Sequence, residues 1–317
     1  MRVCVAGAAG AFGMKHLDAI SCIEGVQVTS VVGSNIASIE ALATERNIPH
    51  YCTDLAESLA RDDVDAVILA TPTGMHAAQS IQCMEAGKHV MVEIPMADNI
   101  EDSKKLVETQ KRTGLVAMAG HTRRFNPSHQ WIHNKVLAGE LTIQQMDVQT
   151  YFFRRTNTNA KGQPRSWTDH LLWHHACHTV DLFQYQTGQE ASQLQAMQGP
   201  LHPDLGIAMD MSIGLKVPTG AICTLSLSFN NEGPFGTFFR YICDNGTYLA
   251  RYDELYDGNE KPIDLSNVAV SMNGIELQDR EFFDAIKEGR EPNSSVAQCF
   301  TAMNSLDRIE QLLDSAE

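Results

Sequence analysis

Paired cysteines are missing from this chain. Its eight cysteines (Cys4, Cys22, Cys52, Cys83, Cys177, Cys223, Cys243 and Cys299) stand singly, with no CxxC among them. In 317 residues that scatter excludes a disulfide frame and a zinc ribbon, and it points to free thiols in a reducing compartment, the cytoplasm. Long apolar runs are missing too, since no stretch approaches the roughly 18 to 20 residues needed to span a membrane. The opening MRVCVAGAAGAFGMKHLD is apolar but broken by glycine, so it reads as a buried strand and a turn rather than a signal peptide. Positive charge is scarce: 24 Lys and Arg against 39 Asp and Glu leave a net charge of −15, which argues against a nucleic-acid partner.

What is present suits a globular protein, with 43% hydrophobic residues and length enough for two domains. One region breaks the acidic balance. Residues 121–165 hold Arg123, Arg124, Lys135, Arg154, Arg155, Lys161 and Arg165 against only Glu140 and Asp147. A basic island in an acidic protein concentrates a small anionic ligand; the plainer alternative is a solvated face with scattered ion pairs.

The first 120 residues alternate strand and helix patterns. Strands are predicted at Arg2–Ala6, Gln27–Val32, Val64–Ala70, His89–Glu93 and Val116–Ala119, with helices such as Ile36–Arg46 and Ile100–Thr113 between them. Such repetition implies a parallel sheet covered on both faces, a Rossmann-like α/β domain over residues 1–121. Beyond it the rhythm changes. Met146–Phe153, Met209–Lys216, Ala221–Phe229 and Phe238–Cys243 read as longer strands, and Asp244-Asn245-Gly246-Thr247 as a hairpin turn. With helices expected at His170–Gln186, Gln278–Glu288 and Val296–Asp314, residues 122–317 are predicted to form an α+β domain on an open, mostly antiparallel sheet.

The loop VAGAAGAFG follows the first strand and opens a helix, the context a dinucleotide loop requires. Its spacing is Gly7-x-x-Gly10-x-x-Gly13, one residue longer than GxGxxG. Small residues let the backbone approach a pyrophosphate, and the N–H groups of Ala11, Phe12 and Gly13 at the helix start can hold it. The second strand ends without an acid to grip a ribose hydroxyl. Ser34 and Asn35 stand there instead, either favouring NADP over NAD or simply capping a helix. Thr71, Pro72 and Glu93, at later strand ends, are expected near the nicotinamide; His76 is either a further cofactor contact or an ordinary surface residue of the next helix.

The stretch WTDHLLWHHACHTVD (residues 167–181) packs four histidines, one cysteine and two aspartates into fifteen positions. On an ideal helix His170, His174, His178 and Asp181 share one face, while Leu172, Ala176, Thr179, Val180 and Phe183 gather opposite. Three chemistries fit. His174 and His178 at i, i+4 could hold a metal. Cys177 could attack an aldehyde. His178 could serve as an acid–base group. A dinucleotide site already supplies an oxidant, which favours the third and no metal.

Together GAAGAFG, TPTGMH, EIP, RRFNP (Arg123–Pro127) and HxxxHxxD (His174, His178, Asp181) resemble the Gfo/Idh/MocA oxidoreductase family, and the resemblance runs to REFFDAIKEGREPNSS (Arg280–Ser295). It implies an NAD(P)-dependent dehydrogenase with His178 as base, Asp181 orienting it and His174 beside it. Two positions depart from the family pattern: Ile94 stands where a lysine is usual, and His174 where an aspartate is usual. Both losses disfavour a polyol such as a sugar or inositol; a regulator that binds dinucleotide without turnover is the other alternative. Within the family, GHTRRFNPSHQWIHNK and PRSWTDHLLWHHACHTVDLF are similar to members that act on a dicarboxylated muconate semialdehyde from protocatechuate 4,5-cleavage. This implies a small dicarboxylate substrate, oxidised as a cyclic hemiacetal to a pyrone dicarboxylate. Arg123, Arg124, Arg154, Arg155, Arg165 and His175 are then the candidates to bind it, with Lys161 on a loop that closes over it. A homodimer or higher homo-oligomer is expected.

Overall fold

The computed structural model describes residues 1–158, 162, 164–165, 168–268 and 274–315. It divides into two compact units, Met1–Thr122 with Ser271–Phe300 and Arg123–Val270 with Thr301–Glu317.

The first unit is built on strands β1 (Arg2–Ala6), β2 (Gln27–Val32), β3 (His50–Cys52), β4 (Ala66–Leu69), β5 (His89–Val92) and β6 (Ala117–Ala119), interleaved with helices α1 (Ala11–Ser21), α2 (Ile36–Arg46), α3 (Leu55–Leu59), α4 (His76–Glu85) and α5 (Ile100–Thr113). The sheet order is β3-β2-β1-β4-β5-β6, all parallel. Val3–Ala6 and Ala66–Leu69 are wholly buried, as strands covered on both faces must be. Three of these helices start where the sequence supplies a side-chain acceptor. Asn35, Asp54 and Asn99 take backbone N–H groups at the starts of α2, α3 and α5, each such cap contributing about 1 kcal/mol. α5 also carries Glu101 and Asp102 in its first turn and Lys111 and Arg112 in its last, matching the helix dipole. The three-residue edge strand β3 has no apolar pattern to betray it.

The second unit contains α6 (Pro127–Leu137), β7 (Ile143–Tyr151), a π-helical turn Leu171–Ala176 running into α7 (Cys177–Thr187), and strands β8 (Gln193–Gln198), β9 (Asp210–Lys216), β10 (Ile222–Ser228), β11 (Gly236–Cys243), β12 (Gly246–Arg251) and β13 (Glu254–Asp257). The sheet order is β13-β12-β11-β7-β10-β9-β8; only the central β7–β10 pair is parallel. Met146 and Val148, Ile213 and Leu215, Cys223 and Leu225, and Phe239 and Tyr241 are buried on one face. The alternate residues Asp147, Thr224 and Arg240 lie on the other, where the Thr224 hydroxyl donates to Asp147. The DNGT hairpin joins β11 to β12 as expected.

Two helices complete the chain, α8 (Gly274–Glu288) and α9 (Val296–Asp314). Here the structure departs from a second domain continuous from residue 122 to 317, because Ser271–Phe300 packs with the first unit. Packing partners, rather than chain order, decide where α8 belongs: it lies against α1.

Candidate active site

In the first unit, Gly7 adopts φ +76°, and a Cβ there would sit 2.2 Å from the Ala70 carbonyl oxygen. A Cβ on Gly13 would lie 2.3 Å from the Gly7 oxygen and 2.6 Å from Ala8 Cα. Both positions therefore require glycine. Gly10 is extended, begins α1 and caps it with no side chain. The first-turn N–H groups of Ala11, Phe12 and Gly13 thus have neither an intrahelical acceptor nor a side-chain cap, which is the anion cradle a pyrophosphate fits. Phe12 stands half exposed beside this cradle, with the Lys15 ammonium 4.7 Å from its ring centroid.

The remaining cofactor candidates have varied surroundings. Ser34 is exposed; Asn35 caps α2, its Oδ1 accepting from the Ser38 N–H at 3.0 Å. Pro72 opens a short 3₁₀ turn, and the Thr71 hydroxyl donates to Gln79 Oε1 at 2.6 Å. His76 is not a surface residue. It is buried, with Nδ1 2.8 Å from the Pro95 carbonyl and Nε2 2.8 Å from the Thr71 carbonyl, so it ties the loop after β4 to the loop after β5. That tie makes it a strut for Thr71 rather than a surface contact. Glu93, at the end of β5, is held by His16, which the sequence reading had not singled out. His16 Nε2 lies 2.9 Å from Glu93 Oε1, while Nδ1 lies 3.0 Å from both oxygens of Asp279.

In the second unit, the histidine stretch departs from an ideal helix. His170 is the N-cap: its Nδ1 accepts from the Leu172 N–H at 3.2 Å, and its own N–H donates to His174 Nδ1 at 2.7 Å. Two imidazoles thus cap the widened π-helical turn. With Nδ1 as an acceptor, the neutral His174 ring carries its proton on Nε2 and is a donor there. Such widened turns often mark functional sites. His178 is half-buried in the first turn of α7. Leu172, Ala176, Thr179, Val180 and Phe183 are buried as expected. Asp181 is buried as well, not set on an open polar face. Cys177 is 1% exposed, which closes it to an incoming aldehyde. Among the described residues, the groups of side chains near enough to share a metal ion include neither His174 nor His178.

The arginines sort by their partners. Arg124 is buried and forks onto Asp181, with Nε 2.8 Å from Oδ2 and Nη2 2.6 Å from Oδ1, and it stacks on Tyr185. Arg124, expected to bind substrate, has its guanidinium taken up in this internal ion pair, with Asp181 as its counter-charge. A buried guanidinium demands such a counter-charge. Arg155 is exposed, donates to the Arg154 and Phe229 carbonyls and stacks on Phe153. Arg154 and Arg165 converge on Asp169, Arg165 at 3.0 Å, so two cations share one carboxylate. Arg123 lies between aromatic rings, 4.8 Å from the Tyr252 centroid and 5.8 Å from that of Phe239. Among the described residues it pairs with no carboxylate, and its buried Nε has no acceptor. Burial holds its pKa below the ordinary value. A half-buried guanidinium of this kind, with Nη1 3.5 Å from Asn126 Oδ1 and no carboxylate paired to it, can take an anion.

His175 is wedged between Phe152 and Phe229, and burial pushes its pKa down to about 4. Its ring is neutral packing on the sheet, not a charged substrate contact. Lys161 lies outside the described residues. A cavity of about 510 Å³ opens on the far face of the sheet, lined by Asp147, Gln149, Phe238, Arg240 and Arg251, and takes in none of the candidate residues.

Residues 1–121 match the oxidoreductase family with an NAD-binding Rossmann fold, and residues 127–269 match the C-terminal region of bacterial oxidoreductases. The chain is 65% identical over 314 residues, 99% of both chains, to 4-carboxy-2-hydroxymuconate-6-semialdehyde dehydrogenase of Sphingobium sp. (strain NBRC 103272 / SYK-6). Solved structures share the fold. A levoglucosan dehydrogenase in complex with NADH superposes with a TM-score of 0.87 at 19% identity, covering 99% of this chain and 97% of that one. An Agrobacterium radiobacter oxidoreductase in complex with NAD+, L-tartaric acid and magnesium gives 0.84 at 16%, covering 100% and 97%. With its glycine cradle, its Glu-Ile-Pro strand end and its histidine helix, the chain belongs to the Gfo/Idh/MocA oxidoreductase family.

Proposed function

We propose that this protein oxidises the cyclic hemiacetal of 4-carboxy-2-hydroxymuconate-6-semialdehyde to 2-pyrone-4,6-dicarboxylate, with NADP as the preferred hydride acceptor and NAD as a possible one. The observation that carries this reading is the 65% identity over 99% of both chains to a dehydrogenase of that substrate. When bound, the nicotinamide accepts the hydride from the hemiacetal carbon.

The chain's own groups do the rest. The cradle from Gly7 to Gly13 holds the pyrophosphate. His178 takes the hemiacetal hydroxyl proton at Nε2, its Nδ1 being buried. Loss of that proton and of the hydride leaves a carbonyl, so the lactone forms directly, with no thioester. His174 donates from Nε2 to an oxygen of the substrate. Arg123 anchors one carboxylate, and Arg154 and Arg165, brought together at Asp169, take the other.

The NADP preference rests on the end of β2, where Ser34 and Asn35 present no carboxylate to repel a 2′-phosphate. The same reading places the enzyme in the cytoplasm, where free thiols persist, and as a homodimer through the open sheet face. Purified protein mixed with the semialdehyde and either cofactor is expected to yield the pyrone dicarboxylate, with kcat/KM for NADP about tenfold above that for NAD, equivalent to about 1.4 kcal/mol. No product with either cofactor contradicts the substrate; a preference for NAD contradicts the reading of Ser34.

A further inference from the structure

His16 lies three residues beyond Gly13, on the helix that opens at the glycine cradle. Its ring is completely buried, as is Asp279, while the Glu93 side chain keeps 13% of its exposure. Both ring nitrogens meet carboxylates: Nδ1 with Asp279 at 3.0 Å and Nε2 with Glu93 Oε1 at 2.9 Å. A carboxylate only accepts, so each contact calls for an N–H, and a ring with two is an imidazolium. Burial works against that charge, yet Asp279 and Glu93 outweigh it and raise the His16 pKa to about 10.

A buried charged triad is a poor device for stability alone, because well-packed apolar side chains of similar volume usually serve as well or better. Its location suggests another use. Glu93 directly follows β5, at the carboxyl edge of the sheet where ligands of such folds bind. Room for it is kept by Gly120 at the end of β6, where a Cβ would come 3.3 Å from both Glu93 Cα and Oε1. His16 takes Oε1, and Oε2 makes no hydrogen bond among the described residues.

We infer that His16, itself held by Asp279, is a positioning residue that fixes the Glu93 carboxylate so that Oε2 accepts a hydroxyl or amide proton from the nicotinamide half of the bound dinucleotide. This rests on the dinucleotide reading of the first unit and adds to it a device the glycine loop does not contain. The glycines seat the pyrophosphate; the triad sets the far end of the same ligand.

Two substitutions separate positioning from mere packing. The side-chain amide of Gln in His16→Gln reaches the place of Nε2 and can still donate to Glu93, whereas that of Asn in His16→Asn reaches only the place of Nδ1 and serves Asp279. Dissociation constants for NADPH and NADH, read by quenching of protein fluorescence, are expected to change by less than about threefold in His16→Gln and to weaken by about tenfold or more in His16→Asn. A purely structural histidine predicts the opposite order or none, since Asn preserves the partner of the fully buried Asp279. Equal constants in both variants overturn the inference. Should either variant fail to fold, the wild-type protein labelled with ¹⁵N-histidine supplies the test: the Nε2–H signal of His16 is expected to shift when either cofactor is added, and an unmoved signal overturns the inference. A wild-type protein that binds neither cofactor would instead overturn the dinucleotide reading itself.

Discussion

Arg124 and Asp181 show how one residue's partner can change its meaning. Read from the sequence, Arg124 belongs to a basic island suited to an anionic substrate, and Asp181 to a histidine face. In the fold the two sit 57 residues apart in sequence and 2.6 Å apart in space, both buried. Removing one member leaves an uncompensated charge inside the protein. Arg124→Ala is expected to destabilise by about 3–5 kcal/mol in urea unfolding, while a paired Arg124→Met, Asp181→Leu variant should recover most of that loss. A single variant as stable as wild type would return Arg124 to the list of substrate contacts. The island itself was legible, because seven cations against two acids is a compositional fact. Which cations are already neutralised was not, since Asp181 and Asp169 are ordinary acids until the fold brings them to Arg124, Arg154 and Arg165.

At the scale of elements, periodicity performed well where the backbone is regular. The strands Arg2–Ala6 and Gln27–Val32 and the helices Ile36–Arg46, Ile100–Thr113 and Val296–Asp314 fall where the pattern puts them. It failed where the geometry is special. A period of 3.6 residues does not describe the π-helical turn Leu171–Ala176, so the face predicted for His170, His174 and His178 is not continuous. The glycine loop was legible for a local reason: Gly7 must adopt a positive φ and Gly10 need not. Gly7→Ala should therefore weaken dinucleotide binding more than tenfold and destabilise by about 1–3 kcal/mol, since strain and the clash with the Ala70 carbonyl act together. Gly10→Ala meets only the Gly7 oxygen at 3.1 Å, from an extended backbone, and should bind within about threefold of wild type. Calorimetric titration of both variants with NADPH checks the contrast; equal losses would contradict it.

On the scale of the whole molecule, chain order misled in one place. The segment Ser271–Phe300 returns to the first unit and brings Asp279 to His16, a meeting 263 residues apart that no local pattern announces. The class of each unit was legible all the same, because alternating strand and helix patterns in the first and long strands with a DNGT hairpin in the second are local signatures. Each unit contributes separately to the proposed reaction: the first seats the hydride acceptor, and the second supplies the base and the carboxylate anchors. The most direct test of that division is the turnover of His178→Ala beside wild type, with the semialdehyde and NADP. The proposal predicts a fall in kcat of about 10²–10⁴, the share of a general base, with the dissociation constant for NADPH within about twofold of wild type. Wild-type turnover in His178→Ala would contradict it.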